Sequence, residues 1–258
     1  MLADGVVVTQ DTLVEGVHFR REWTSWHDLG YKAAVVNLSD VAVLGAEPEA
    51  LLVSLALPPE TEEADALELY EGLAEPGFAV AGGDTTRSET LVITVTAVGR
   101  SERVPGRAGA VPGDVLVVTG PLGGAAAGLH ALRAGLAGFD ELVERHRRPP
   151  LRLDEGRRLA RVAHALIDLS DGIAGDAARI AERSGCRIVL EPGRIPRAAR
   201  IEEVADLPFW ALGEDYELLA ALAPDDAAAL GFPAVGRCVE GEGVEPKLDS
   251  WDAFRQPA

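Results

Sequence analysis

Short β-forming runs alternate with helix-length apolar patterns along almost the whole chain, and most of the runs stop at glycine, proline or aspartate. That alternation restricts the fold to a mixed α/β architecture, because sheets built from such runs are covered by the intervening helices. The β-branched run at 6–9 reads as a buried strand, residues 27–45 as a helix closed by Gly45, and 51–57 as a strand ended by Pro58 and Pro59. Thr61, followed by Glu62 and Glu63, is the expected N-cap of a helix that ends near Pro76 and Gly77. Residues 78–81 and the alternating 91–98 are further strands, with Gly82, Gly83, Asp84, Thr85 and Thr86 in a turn between them. The stretch 100–113, rich in glycine, proline and arginine, marks a boundary between domains 1–110 and 111–258. Beyond it, strands are expected at 115–119, 165–168, 187–190, 216–223 and 234–239, and helices at 125–134, 154–163 and 173–184.

With 258 residues, 47% of them hydrophobic, the chain can bury a core in one or two domains. Its apolar runs fall short of the roughly 20 residues a membrane span needs, and its first residues lack the pattern of a secretory signal. Cys186 and Cys238 are too few for a disulfide framework and are not spaced for zinc, so a reducing, cytoplasmic setting is expected. The formal charge of −18 repels nucleic acid and anionic lipid, and it equally repels a polyphosphate unless divalent cations lie between. Among 24 basic residues only Lys32 and Lys247 are lysine, so direct phosphate contacts fall to arginine.

Aspartate recurs at the ends of apolar runs: Asp11, Asp84, and Asp168 with Asp171. Asp40 lies instead within an apolar helix, on the same face as Asn37. A half-buried carboxylate there needs a hydrogen bond, a counter-charge or a cation. Each acid taken singly reads as an ordinary cap or turn former. Together they read as an oxygen site for Mg²⁺, which takes one or two carboxylates and completes its shell with water and phosphate. Gly82 and Gly83 either let backbone amides approach a phosphate or form a plain tight turn. The glycines of 120–124 precede a helix but match neither a P-loop nor a dinucleotide fingerprint, which favours a turn and packing role. His18 is open equally to substrate contact and to a structural role; His27, His130, His146 and His164 lack metal-ligand spacing and read as structural. Arg107 is a solvated arginine or a bidentate phosphate clamp. No Ser/His/Asp or Cys/His nucleophile arrangement is present, and direct phosphoryl transfer needs none.

The stretches 9–19, 32–40, 82–86, 167–172 and 213–218, in this order and spread over nearly the entire chain, resemble those of thiamine-monophosphate kinases, within the wider aminoimidazole-ribonucleotide-synthase-like superfamily. The resemblance implies ATP- and Mg²⁺-dependent transfer of the γ-phosphoryl group to thiamine monophosphate, giving thiamine diphosphate. It implies Asp11, Asp40, Asp84, Asp168 and Asp171 as magnesium ligands, with Thr9 and Gln10 lining the metal site. Gly83, Asp84, Arg107 and Ser170 are implied as ATP contacts, and His18, Glu214 and Trp251 as contacts to thiamine monophosphate. An N-terminal α/β half that pairs with its twin in a homodimer, and an α+β C-terminal half, are also implied. Against the family pattern, the sequence is expected to lack a helix and a Gly-Asp-Asp-Ala segment that precede the first strand and supply one more metal ligand. The helix after Thr61 is expected to be shortened near Pro76, Gln10 stands for a hydroxyl residue, and Ala211 and Leu212 precede Gly213 where relatives often have another glycine. The alternatives are a non-catalytic binder of nucleotide or thiamine phosphate and a sister ATP-dependent synthase. The lack of a reactive N-terminal cysteine argues against the selenophosphate branch.

Overall fold

A computed structural model describes residues 3–248. The first half builds a four-stranded sheet from β1 (Val6–Val14), β2 (Glu47–Leu57), β3 (Val80–Arg87) and β4 (Val92–Arg100), in the order β1-β4-β2-β3. Neighbours are antiparallel except β2 and β3, which run parallel. Helix α1 (Trp26–Val43) lies on the inner face and α2 (Glu63–Ala74) packs against it. The alternation of side chains decides which face is inner. Val7, Leu13, Val53, Leu55, Ile93 and Val95 are buried with Leu29, Ala33 and Val36 of α1, whereas Val8 and Leu52 remain exposed on the other face.

The second half contains β5 (Val115–Val118), α3 (Gly124–Ala134), α4 (Asp140–Arg147), α5 (Leu153–Ala160), β6 (Ala165–Asp168), α6 (Ile173–Ser184) and β7 (Arg187–Leu190). It continues with α7 (Ile201–Val204), β8 (Leu218–Leu222), α8 (Pro224–Leu230), β9 (Ala234–Val239) and β10 (Gly243–Glu245). Its six strands are ordered β10-β7-β9-β5-β8-β6, parallel only between β10 and β7. Ile167, Ile173, Ile180, Ile188, Phe209 and Leu219 are buried in its core.

Helix α1 is apolar on almost every side, the mark of a helix surrounded by protein, and it joins the halves. Its Ala42 and Val43 leave the first core to pack with Leu159, Ala160, Leu166 and Leu218. The approach of α5 is so close that a Cβ on Gly156 would lie 2.4 Å from the Ala42 carbonyl oxygen. Asn37, Ser39 and Asp40, the polar residues in the second half of α1, are therefore held between the two sheets.

Several expectations about local structure are corrected. Strand β1 continues through Asp11 to Val14 and is covered on one face only. The expected turn at 82–86 is strand β3, hydrogen-bonded along β2. Gly83 is needed there for strand approach, since a Cβ would lie 1.7 Å from the Val53 carbonyl oxygen. Glu62, not Thr61, caps α2, through a reciprocal bond in which the Glu62 amide donates to Asp65 Oδ2 at 2.9 Å. The strand expected from 216 starts at Leu218, because Glu214 and Tyr216 have left-handed backbones with φ of 69° and 50°. Helices α7 and α8 are too short to show periodicity in sequence, and α4, which buries only Leu142 and His146, has little apolar face to show it. Among the described residues no helix is long and apolar enough to cross a membrane.

Candidate functional site

Thr9 and Asp11 sit at alternate positions of β1 and face α1, where Asn37 fixes them. Its Oδ1 accepts from the Asp11 amide at 2.8 Å, and its backbone oxygen accepts from Thr9 Oγ1 at 3.3 Å. Asn37 is itself oriented by donating from Nδ2 to the Ala33 carbonyl at 3.0 Å. Two residues along the helix, Ser39 Oγ donates to Asp168 Oδ2 at 3.0 Å, linking α1 to the end of β6. The helix thus organises carboxylates from both halves of the chain around its own Asp40.

Asp11, Asp40 and Asp168 act on one another as like charges. Burial and the Asp168 charge push Asp11 up to about 6. Burial, Asp168 and Asp11 together push Asp40 up to about 7, with Arg107 opposing. Asp168 is raised by burial, against the Ser39 bond and Arg107, with Asp171 adding repulsion. Such a set holds protons more tightly than ordinary carboxylates and gives them up to a divalent cation. Among the described residues, no three His, Cys, Asp or Glu side chains are gathered tightly enough to hold a metal ion by themselves. The donor chemistry fits Mg²⁺ held jointly by one or two carboxylates, water and phosphate oxygens.

Asp171 follows β6 and is paired with Arg179 of α6. The same guanidinium pairs with Asp176, which is fully buried and accepts from the Asp171 amide at 3.1 Å. Burial and the Asp168 and Asp171 charges push Asp176 up to about 7. The Ser170 carbonyl accepts from the Glu214 amide at 2.9 Å, and the Leu169 carbonyl from the Tyr216 amide at 3.0 Å. These bonds lay the loop of Glu214 beside the loop of Asp171.

Glu214 projects from its left-handed backbone into a second polar group. Lys32 Nζ of α1 donates to Glu214 Oε2 at 2.8 Å, and His146 Nδ1 of α4 lies 3.4 Å from the same oxygen. Burial would raise Glu214, but the Lys32 charge and its hydrogen bond outweigh it, and Glu214 lies below its ordinary value. His18 accepts from the Val14 amide at Nδ1, 3.0 Å away, which leaves Nε2 as its N–H donor. Burial holds His18 below its ordinary value, although Glu214 pulls the other way.

Not every implied site residue joins these groups. Gln10 is directed to the outer face of the sheet, where Oε1 accepts from Thr96 Oγ1 at 3.0 Å. Gly83 and Asp84 are in the exposed strand β3, on the sheet edge opposite β1. Asp84 is in register with Ser54 and, through β4, with Thr94 and Thr12, and so shares the outer face. Trp251 lies outside the described residues. Conversely, Asp176, Arg179, Lys32 and His146 belong to the site's surroundings without having been singled out for it. Each resembles an ordinary helical residue in sequence, and only the acid in the first turn of α6 offers even a weak signal.

Residues 2–101 match the family described as "AIR synthase related protein, N-terminal domain" and residues 111–234 match "AIR synthase related protein, C-terminal domain". The thiamine-monophosphate kinase of Methanopyrus kandleri is 37% identical over 95% of this chain and 82% of its own length. That of Aquifex aeolicus is 36% identical, covering 96% of this chain and 88% of its own. A solved structure of AaThiL complexed with AMPPCP and TMP superposes with a TM-score of 0.90 at 35% identity, over 96% of this chain and 87% of that one. A hydrogenase maturation protein HypE, at 18% identity and a TM-score of 0.81, shares the fold alone. With identity of this extent to its curated relatives, the chain belongs to the thiamine-monophosphate kinase family.

Proposed function

We propose that this kinase transfers the γ-phosphoryl group of ATP to thiamine monophosphate, giving thiamine diphosphate, with Mg²⁺ between the aspartates and the nucleotide. The observation that carries the reading is that Asn37 and Ser39 tie Asp11 of β1 and Asp168 of β6 to the helix that bears Asp40. Asp171 completes the candidate ligands, Thr9 supports Asp11, and Arg107 and Ser170 are the candidate ATP contacts. Mg²⁺ would screen the polyphosphate from a chain of charge −18 and stabilise charge developing on the transferred group. The acceptor is already a phosphate, so these residues need only hold donor and acceptor in line. His18 offers an N–H donor and Glu214 a carboxylate oxygen to thiamine monophosphate, with Trp251 as the third expected contact. The relative complexed with AMPPCP and TMP supports a common site for two such ligands.

The reading extends to a cytoplasmic homodimer that pairs the sheets of domain 1–110, leaving domain 111–258 outside the pairing. Its support is the outer sheet face, which carries the exposed Val8 and Leu52. The test is incubation with ATP, Mg²⁺ and thiamine monophosphate, followed by chromatography of the thiamine phosphates. Thiamine diphosphate should accumulate only when all three are present. Calorimetric binding of both ligands with no product would sink the catalytic reading and leave a binding protein.

A further inference from the structure

Resting on the reading of Glu214 as a substrate contact, we propose that Lys32 and His146 are positioning residues for its carboxylate. They hold Oε2 from two sides, so that Oε1 is left for a hydrogen-bond donor of the acceptor substrate. Lys32 is 3% exposed, and its bond to Oε2 is the one hydrogen bond that Nζ makes among the described residues. An ammonium buried on that scale requires a counter-charge. His146 is 6% exposed, and among the described residues its Nδ1 has no hydrogen-bond partner although Oε2 lies 3.4 Å away. Buried ring nitrogens are rarely left so, and the carboxylate oxygen is the acceptor within reach. Burial and Lys32 hold His146 down to about 3, so it is a neutral imidazole that adds a donor without adding a second charge. Oε1 has no partner among the described residues, and the Glu214 side chain is 29% exposed, open on that side.

The three groups come from α1, α4 and the loop at 213–217, so the carboxylate is fixed with respect to both halves of the chain. A left-handed backbone at Glu214, costly for a residue with a Cβ, indicates that the surroundings impose its position. A structural tie between the elements would stabilise the fold without regard to ligand. A positioning role instead appears selectively in the affinity for one of two substrates.

The test uses calorimetry on the full chain with thiamine monophosphate and, separately, with a magnesium complex of a non-hydrolysable ATP analogue. His146→Ala should weaken thiamine monophosphate by about tenfold and Lys32→Met by about 10–100-fold, the scale of a lost neutral and a lost charged hydrogen bond. The ATP analogue should bind within about twofold of native in both, and His146→Asn, which restores an N–H near Nδ1, should recover most of the loss. Glu214→Gln separates the two layers of the argument. If it weakens thiamine monophosphate while His146→Ala and Lys32→Met do not, the positioning role is wrong and Glu214 remains a contact. If Glu214→Gln itself binds like native, the underlying substrate reading fails. Equal loss of both ligands with a lowered melting temperature, unrelieved in His146→Asn, identifies a structural tie and overturns the proposal.

Discussion

Asp168 occupies a position better suited to a filled cleft than to an empty one. It is buried at the end of β6 within the field of Asp11, Asp40 and Asp171, with the Ser39 hydroxyl, a backbone hydrogen bond and Arg107 set against that repulsion. Asp168→Asn keeps the shape and removes the charge. The melting temperature of the ligand-free variant should rise by about 2–4 °C, the worth of roughly 1 kcal/mol at this chain length. Phosphoryl transfer should fall by roughly 100-fold or more if Asp168 is the proposed cation ligand. Calorimetry with Mg²⁺ and ATP analogue should show ligand stabilisation in native chain and little in the variant. A variant less stable than native would mean that hydrogen bonding, not repulsion, dominates at Asp168. Asp11, Asp40, Asp168 and Asp171 are legible in sequence because carboxylates set against apolar runs are expensive unless employed. Lys32 and His146 are not, because their significance arises only from meeting Glu214, far along the chain. Gln10 shows the reverse error: adjacent in sequence to Asp11, it points to the other face because strand side chains alternate.

At the scale of elements, the loop at 213–217 sends three acids to three places. Glu214 meets Lys32; Asp215 accepts from the Gly123 amide at 2.7 Å and the Ala125 amide at 3.3 Å, capping α3; and Glu217 is gripped by Arg152 at 2.7 and 2.8 Å. The glycine-rich turn before α3 therefore has its amides occupied by a carboxylate of the chain itself. Burial pushes Asp215 up to about 7, despite those two bonds. Because the folded chain then holds this proton more tightly than the unfolded chain, the contribution to stability is present below about pH 4. It declines as pH rises toward 7. Asp215→Asn, which keeps an acceptor at the helix terminus, should flatten this part of the curve, so that the difference in urea midpoint between variant and native shifts in favour of the variant from pH 4 to 7. A difference independent of pH would show that Asp215 stays ionised throughout the window. Long elements such as α1 and α6 are visible from periodicity, whereas β3 is hidden because glycine, aspartate and threonine there mimic a turn. Its strand character comes from hydrogen bonding to β2, a tertiary term that local composition does not carry.

For the whole molecule, the position of Asp84 connects assembly to chemistry. It lies on β3, three strand spacings from β1, or roughly 14 Å, and on the outer face, whereas Asp11 turns inward toward α1. A single chain therefore leaves Asp84 apart from the carboxylates around Asp40, yet puts it on the face through which the proposed homodimer would form. If Asp84 serves the phosphates, it does so in a site that a second copy completes. Mixing two inactive variants tests this. Random pairing of Asp84→Asn with Asp168→Asn chains makes half of the dimers mixed, and each mixed dimer carries one site with both defects and one with neither. About a quarter of native activity should then return, as twofold symmetry requires. No recovery at all would place Asp84 and Asp168 in service of the same chain's site, or Asp84 in no site. Adding Leu52→Lys to both chains puts a charge on the 43% exposed apolar position of that face. It should move the sedimentation coefficient toward monomer and abolish the recovery together, because the regained activity depends on the pairing itself.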